Sequence, residues 1–329
     1  MNFVSPTKNF QINNLVTGGA GFLGSNLIDF LIKNGENVLC IDDLSSGTLD
    51  NLRHLENNEK FEFKKHDIRE PFLFEGKIDK IWHFACPPVP NIYKIEPLST
   101  LDINYRGALN MLNLAKKCNS KILLTSTSEI YGNTRINPQY ENMPVDLLTD
   151  NPRACYSEGK RVAETLFFAF ERLYGLKIRV ARIFNTYGPK LKMNDGRVIS
   201  NFINFSLSNK NLIVNGDGSQ TRSFCFIDDM VIGLVKLMES DYKLPLNLGN
   251  PEEISIIELA KLIKRKINSS SEIEFRPISK EEPFLRRPSI ELAGRVLTWQ
   301  PKVSLETGLN KTIDYFKKQK FNLNDDNII

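Results

Sequence analysis

Cysteine is scarce in this chain and nowhere paired. Five occur among 329 residues, at positions 40, 86, 118, 155 and 225, far apart and with no Cys-x-x-Cys. That spacing excludes a disulfide framework and a zinc site, and it suits a reducing cytoplasm. Long apolar runs are missing too. None approaches the ~18 residues of a membrane span, and no secretory leader precedes the first predicted strand. No basic stripe interleaved with aromatics is present, so neither a membrane nor a nucleic acid is an expected partner. Internal repeats and low-complexity tracts are absent. The remainder is an ordinary globular composition, 41% hydrophobic and 25% charged, long enough for one large domain or two modest ones. A net charge of +4 suits a small anionic substrate.

The informative stretches begin near the N-terminus. Ile12–Val16 reads as a buried strand, and Ser25–Asn34 as an amphipathic helix. Between them lies Thr17-Gly-Gly-Ala-Gly-Phe-Leu-Gly24, which fits both Gly19-x-Gly21-x-x-Gly24 and Gly18-x-x-Gly21-x-x-Gly24. Strand, glycine turn and helix in that order make a dinucleotide site. Glycine lets the backbone approach a pyrophosphate, and the helix N-terminus faces its charge. The next strand, Asn37–Ile41, leads into Asp42, which lies 18 residues after Gly24, where an acid meets the ribose hydroxyls. That acid repels a 2′-phosphate, and no Arg or Lys lies between Asp42 and Arg53 to neutralise one, so NAD is expected rather than NADP.

Strands follow at Phe61–Lys65, Ile78–Phe84, Lys121–Ser126 and Leu176–Ile183, with helices over Leu98–Cys118 and Tyr156–Tyr174. Ala85–Pro90 is too rich in proline for helix or central strand and reads as a loop. The alternation predicts an α/β fold, a Rossmann-type doubly wound parallel sheet, over residues 12–185. A smaller C-terminal α/β substrate domain is expected over 186–319, although the helix Asp228–Glu239 suits the sheet layer. Leu246–Leu248, Ile256–Ile267, Glu272–Phe275 and a terminal helix Leu305–Lys318 are assigned to the smaller unit, with Glu281–Pro288 a polar loop. Residues 1–11 and 320–329 read as flexible.

Open α/β sheets bind ligands at the carboxyl ends of their strands. Thr127, Ser128 and Glu129 therefore stand either at a substrate or in a helix-capping turn. Asp67 meets the adenine edge or caps a helix. Tyr156 and Lys160, at i and i+4, share one helix face. An ammonium beside a phenol favours the phenolate, and the pair then forms a general base for a sugar hydroxyl. The spacing alone is common on surface helices; its company gives it weight.

That company resembles the extended short-chain dehydrogenase/reductase superfamily, and within it the UDP-glucuronate decarboxylases, from about Asn14 to Phe316. The matching stretches include Thr125-Ser-Thr-Ser-Glu-Ile-Tyr-Gly132, Pro152-Arg-Ala-Cys-Tyr-Ser-Glu-Gly-Lys160, Arg179-Val-Ala-Arg-Ile-Phe-Asn-Thr-Tyr-Gly-Pro189, Gly218-Ser-Gln-Thr-Arg222 and Asn247-Leu-Gly-Asn250. The resemblance implies NAD on Gly18, Gly21, Phe22, Leu23, Gly24, Asp42, Asp67, Ile68, Tyr156 and Lys160. It implies a UDP-sugar acid on Asn185, Arg197, Val198, Arg222 and Arg286, although Arg286 also reads as a solvated surface charge. Tyr156, Lys160, Thr127, Ser128 and Glu129 would carry the chemistry, with no metal. It also implies a homodimer through the helices Leu98–Cys118 and Tyr156–Tyr174, where Leu101, Leu109, Leu112, Leu166, Phe167 and Phe170 offer apolar area or pack in the core. Cys86, Ser157, Asp43 and the segment 142–150 depart from the family pattern. A sugar-nucleotide epimerase or 4,6-dehydratase, and a non-catalytic NAD-bound scaffold, are the alternatives.

Overall fold

The computed structural model describes residues 12–193, 195–277 and 285–325. Its centre is a seven-stranded, wholly parallel sheet. The strands are β1 (Ile12–Thr17), β2 (Val38–Asp42), β3 (Phe61–Lys65), β4 (Ile78–His83), β5 (Lys121–Thr127), β6 (Ile178–Ile183) and β7 (Pro245–Leu248), in the spatial order β7-β6-β5-β4-β1-β2-β3. Every residue of β2 is buried, as expected of a parallel strand covered on both faces. Val16 pairs with Cys40 on one side and Trp82 on the other, so the strand order reverses at β1. Ligands of doubly wound sheets bind in the crevice at that reversal.

Alternation divides the core in two. Val16, Trp82, Leu123 and Ala181 face α1 (Phe22–Lys33) and the helix Ile227–Glu239. Leu15, Ile81, Leu124 and Val180 face α2 (Ala108–Cys118) and α3 (Ala154–Tyr174). The long helix expected over Leu98–Cys118 is interrupted. Pro97–Asp102 leads into a π-helical turn, Ile103–Gly107, before α2 begins. Ile68, buried, fills the space beside Gly107, where a Cβ would sit 2.4 Å from its Cδ1.

The C-terminal half differs from its expected layout in two respects. β7 was assigned to the smaller unit, yet it pairs in parallel with β6, Leu246 opposite Ala181. Its four residues, the last three buried in a row, are too short a signal to reveal its partner. Ile227–Glu239 packs against α1 and the sheet, with Met230, Leu234 and Leu237 fully buried. The remainder forms three two-stranded ladders. Leu212–Asn215 runs parallel to Ile273–Arg276, Thr221–Ser223 antiparallel to Glu253–Ser255, and Thr186–Tyr187 parallel to Cys225–Phe226. Helix Ile256–Ile267 opens on a reciprocal cap between Ser255 and Glu258. The last helix runs Leu305–Asp325, past Lys320 where a flexible tail is predicted. Residues 1–11 and 281–284 of the predicted polar loop lie outside the described residues. Among the described residues, no helix is long and apolar enough to cross a membrane.

Candidate active site

The glycine turn sits against the loop that leaves β4. Gly18 has φ +67°, and a Cβ there would lie 2.8 Å from the Ala85 backbone. At Gly24 a Cβ would meet the Gly18 carbonyl oxygen at 2.4 Å. Only glycine fits either place, and the result is a bare backbone cradle. No side chain caps the N-terminus of α1 at Gly21, so the first-turn N–H groups of Phe22 and Leu23 face outward for an anion. Asp42, buried at the end of β2, accepts from Ala20 N (2.9 Å) and Leu44 N (2.8 Å) and ties the strand to the turn. Burial raises its carboxyl, with those amides opposing. Each oxygen keeps a lone pair for a ribose hydroxyl. These residues fit the adenosine and pyrophosphate of NAD.

Asp67 departs from one of its two predicted roles. It caps no helix, and Arg69 grips its carboxylate through Nη2 (2.6 Å) and Nε (2.9 Å), holding it below the ordinary range. Asp67 is thus shared between Arg69 and whatever edge approaches it.

At the carboxyl end of β5, the Thr127 hydroxyl accepts from Glu129 N (3.2 Å) and caps the short turn Ser128–Tyr131. It also hydrogen-bonds the phenol of Tyr156, so it serves cap and site together. Tyr156 stacks on Tyr93 with ring centroids 5.1 Å apart and planes 8° from parallel. Lys160 Nζ donates to the Thr125 carbonyl at 2.9 Å. The expected lowering of the tyrosine pKa by this lysine does not describe the free chain. Burial pushes the Tyr156 phenol well up, Cys86 and Glu129 add to that, and Thr127 pulls against it. Burial likewise lowers Lys160. In so enclosed a place burial shifts both groups towards their neutral forms.

Glu129 shows the opposite balance. Burial raises its carboxyl, but Arg286, Arg153 and Arg222 together outweigh that and leave it below the ordinary carboxylate range. A quarter of the side chain still reaches solvent, which limits the burial penalty. Arg153 Nη2 lies 3.2 Å from Glu129 Oε1 and Arg286 Nη2 3.6 Å from it. Arg286 also donates to the carbonyl of Ser128 at 2.5 Å. It is 3% exposed, which rules out the solvated surface charge. Arg222, buried, donates to its own strand at Thr221 O (2.8 Å). Arg197 lies over the Phe22 ring, 5.6 Å from its centroid, so it reaches the cofactor turn, and Val198 opens the helix behind it. Asn185 is exposed, and its carbonyl accepts from Cys225 N (2.9 Å).

Three neighbours were not singled out as site residues. Arg153 lies inside the tyrosine motif, but nothing in the spacing says that it reaches Glu129. Tyr93, pushed up to about 12 by burial, comes from the short helix Pro90–Tyr93 that follows the proline-rich loop. Asn104, in the π-helical turn, donates to Cys86 Sγ (3.2 Å) and Thr100 O (2.8 Å), and Gly159 of α3 packs against it.

The comparisons agree with this geometry. A family model described as GDP-mannose 4,6 dehydratase matches residues 15–312. The chain is 48% identical over 305 residues to UDP-glucuronic acid decarboxylase 1 of Danio rerio, covering 93% of this chain and 72% of that protein. It is 46% identical over 308 residues to UDP-glucuronic acid decarboxylase 1 of Arabidopsis thaliana, covering 94% and 70%. A crystal structure of UDP-glucuronic acid 4-epimerase from Bacillus cereus, in complex with UDP-glucuronic acid and NAD, superposes with a TM-score of 0.84 at 28% identity, covering 94% of this chain and all of that one.

Proposed function

The chain belongs to the GDP-mannose 4,6 dehydratase family, and from that premise we propose that it is an NAD-dependent UDP-glucuronate decarboxylase that makes UDP-xylose. The observation that carries this reading is the Ser128–Glu129 turn. It follows directly on the Thr127 that bonds Tyr156, and it is gripped by Arg286 and Arg153. The glycine turn and Asp42 would hold NAD, which would supply a reversible hydride acceptor for C4 of the sugar, used before and again after carbon dioxide leaves. Tyr156 removes the proton of the 4-hydroxyl and later gives it back. The Thr127 hydroxyl supports the same oxygen, including the oxyanion that develops as the carboxylate β to the C4 ketone departs. Lys160, anchored on Thr125, has donors left for the ribose hydroxyls. Glu129 enters the cycle unprotonated, and with Ser128 it is assigned to C5, where the enolate takes its proton from solvent. Arg197, Arg222 and Arg286 supply charge for the diphosphate and the sugar acid.

In heavy water, UDP-glucuronate is expected to yield UDP-xylose with one deuterium at C5, one equivalent of carbon dioxide and no accumulating NADH. UDP-galacturonate without carbon dioxide would make the chain a 4-epimerase, and no turnover at all would leave a scaffold.

The same reading places the protein in the cytoplasm as a homodimer. Scattered free cysteines support the first. The exposed side chains of Leu98, Leu101, Tyr105 and Val162, on the helices Pro97–Cys118 and α3, support the second. This corrects the expected contact set, because Leu112, Phe167 and Phe170 are buried in the core under those helices.

A further inference from the structure

Arg286 reaches the Ser128–Tyr131 turn from 158 positions away in the chain, so something must fix where its segment lies. We propose that Asn247 of β7 is a positioning residue for the reaction: its side-chain amide locks the segment carrying Arg286 to the turn carrying Ser128 and Glu129. The proposal rests on the decarboxylase reading for its kinetic consequence only. Asn247 is 0% exposed and touches three separate stretches. Its Oδ1 accepts from the Tyr131 hydroxyl at 2.6 Å. Its Nδ2 donates to Gln139 O at 3.1 Å and Ser289 O at 3.4 Å. Its backbone N–H, on the outer edge of the sheet, donates to Glu141 Oε1 at 2.9 Å.

The orientation of that amide is determined by its neighbours. Arg182 Nη1 donates to the Tyr131 oxygen at 3.1 Å, and a guanidinium cannot accept. The tyrosine proton is therefore free to point at Asn247 Oδ1, which leaves Nδ2 for the two carbonyls. Arg182 is itself held by Glu164 of α3 through two contacts, 2.8 and 3.1 Å, so the catalytic helix joins the same network. On the other side, Gln139 N donates to Arg287 O (2.8 Å) and Ser289 N to Gln139 O (2.7 Å), a bridge that straddles Pro288 just after Arg286. Every path from Tyr131 to Ser289 through this bridge passes Asn247 or Gln139. Aspartate would keep the acceptor for Tyr131, lose both donors and set a second anion beside Glu141.

Two measurements on the full chain test this. The first is a double-mutant cycle of kcat across wild type, Asn247→Ala, Arg286→Ala and the double variant. Asn247→Ala is expected to lower kcat at least tenfold and to release part of the product as UDP-4-ketopentose. In the Arg286→Ala background it should add less than about threefold, because the residue it positions is gone. A purely structural residue would multiply its cost in both backgrounds and leave the product ratio alone, which would overturn the proposal. Tyr131→Phe, which keeps the ring and loses only the donor, should repeat the pattern more weakly if the alanine variant folds poorly. The second is amide hydrogen exchange, which needs no turnover. Faster exchange confined to residues 285–289 and 128–132 is expected in Asn247→Ala, and unchanged exchange there would also overturn the lock. Failure of wild type to make UDP-xylose would remove the decarboxylase reading and leave the exchange result to stand on its own.

Discussion

Tyr156 is the residue whose loss is cleanest to read. Phenylalanine keeps the ring stacked on Tyr93, 5.1 Å away, and loses only the group that takes the proton. Tyr156→Phe is expected to lower kcat by about 10² to 10⁴ with NAD still bound and the melting temperature unmoved. Turnover near that of wild type would assign the proton to another group. His83 makes a separate prediction about stability. Its Nδ1 lies 3.0 Å from the Thr17 hydroxyl, and burial first, then the Lys160 charge, push it from 6.5 to about 3. The folded chain holds this ring neutral while the unfolded chain protonates it below 6.5. Stability is thus complete above that value and falls as the solution is acidified towards 3. The slope is about 1.4 kcal/mol per pH unit for one proton. Chemical denaturation between about pH 6.5 and 5, above the carboxylate range, should show it, and His83→Gln should flatten it. The turn at Thr127 and the shared helix of Tyr156 and Lys160 were legible from the sequence because turn chemistry and helix periodicity fix them. The charge state of Glu129 was not, since the arginines that set it come from positions 153, 222 and 286.

The helix Pro97–Cys118 illustrates what periodicity alone can and cannot say about an element. Its existence was plain from the sequence. The π-helical turn at Ile103–Gly107 was not, because it depends on Asn104 bonding back to Thr100 and on Ile68 entering beside Gly107. Nor could spacing tell the outer face from the inner. Leu112 is fully buried, whereas Leu98 is 79% and Tyr105 51% exposed. The paired change Leu98→Glu with Tyr105→Glu is accordingly expected to weaken self-association at least tenfold in sedimentation while the thermal transition stays cooperative. Leu112→Glu places a charge in the core and should abolish folding instead. A doubly charged variant that sediments like wild type would move the dimer contact elsewhere.

Across the whole molecule the sheet is built from both halves of the chain. Strands one to six were readable in order, since each is a strand-forming run bounded by turn or helix signals. β7 was not, because the strand it pairs with, β6, lies far back in the sequence, and pairing at that distance leaves no local trace. A fragment ending at residue 185 should therefore lack a cooperative thermal transition and bind no NAD. It loses β7 and the helix Ile227–Glu239 that covers one sheet face. A sharp transition in that fragment would show the first six strands to be self-sufficient. The same discontinuity governs the newborn chain. At ~5–20 residues per second, several seconds of synthesis separate the emergence of Ile183 from that of Leu248. Throughout that interval β6 presents an open row of backbone donors and acceptors beside uncovered apolar residues. The ribosome thus displays a half-built sheet, whose safe completion depends on whatever shields that edge until the matching strand arrives.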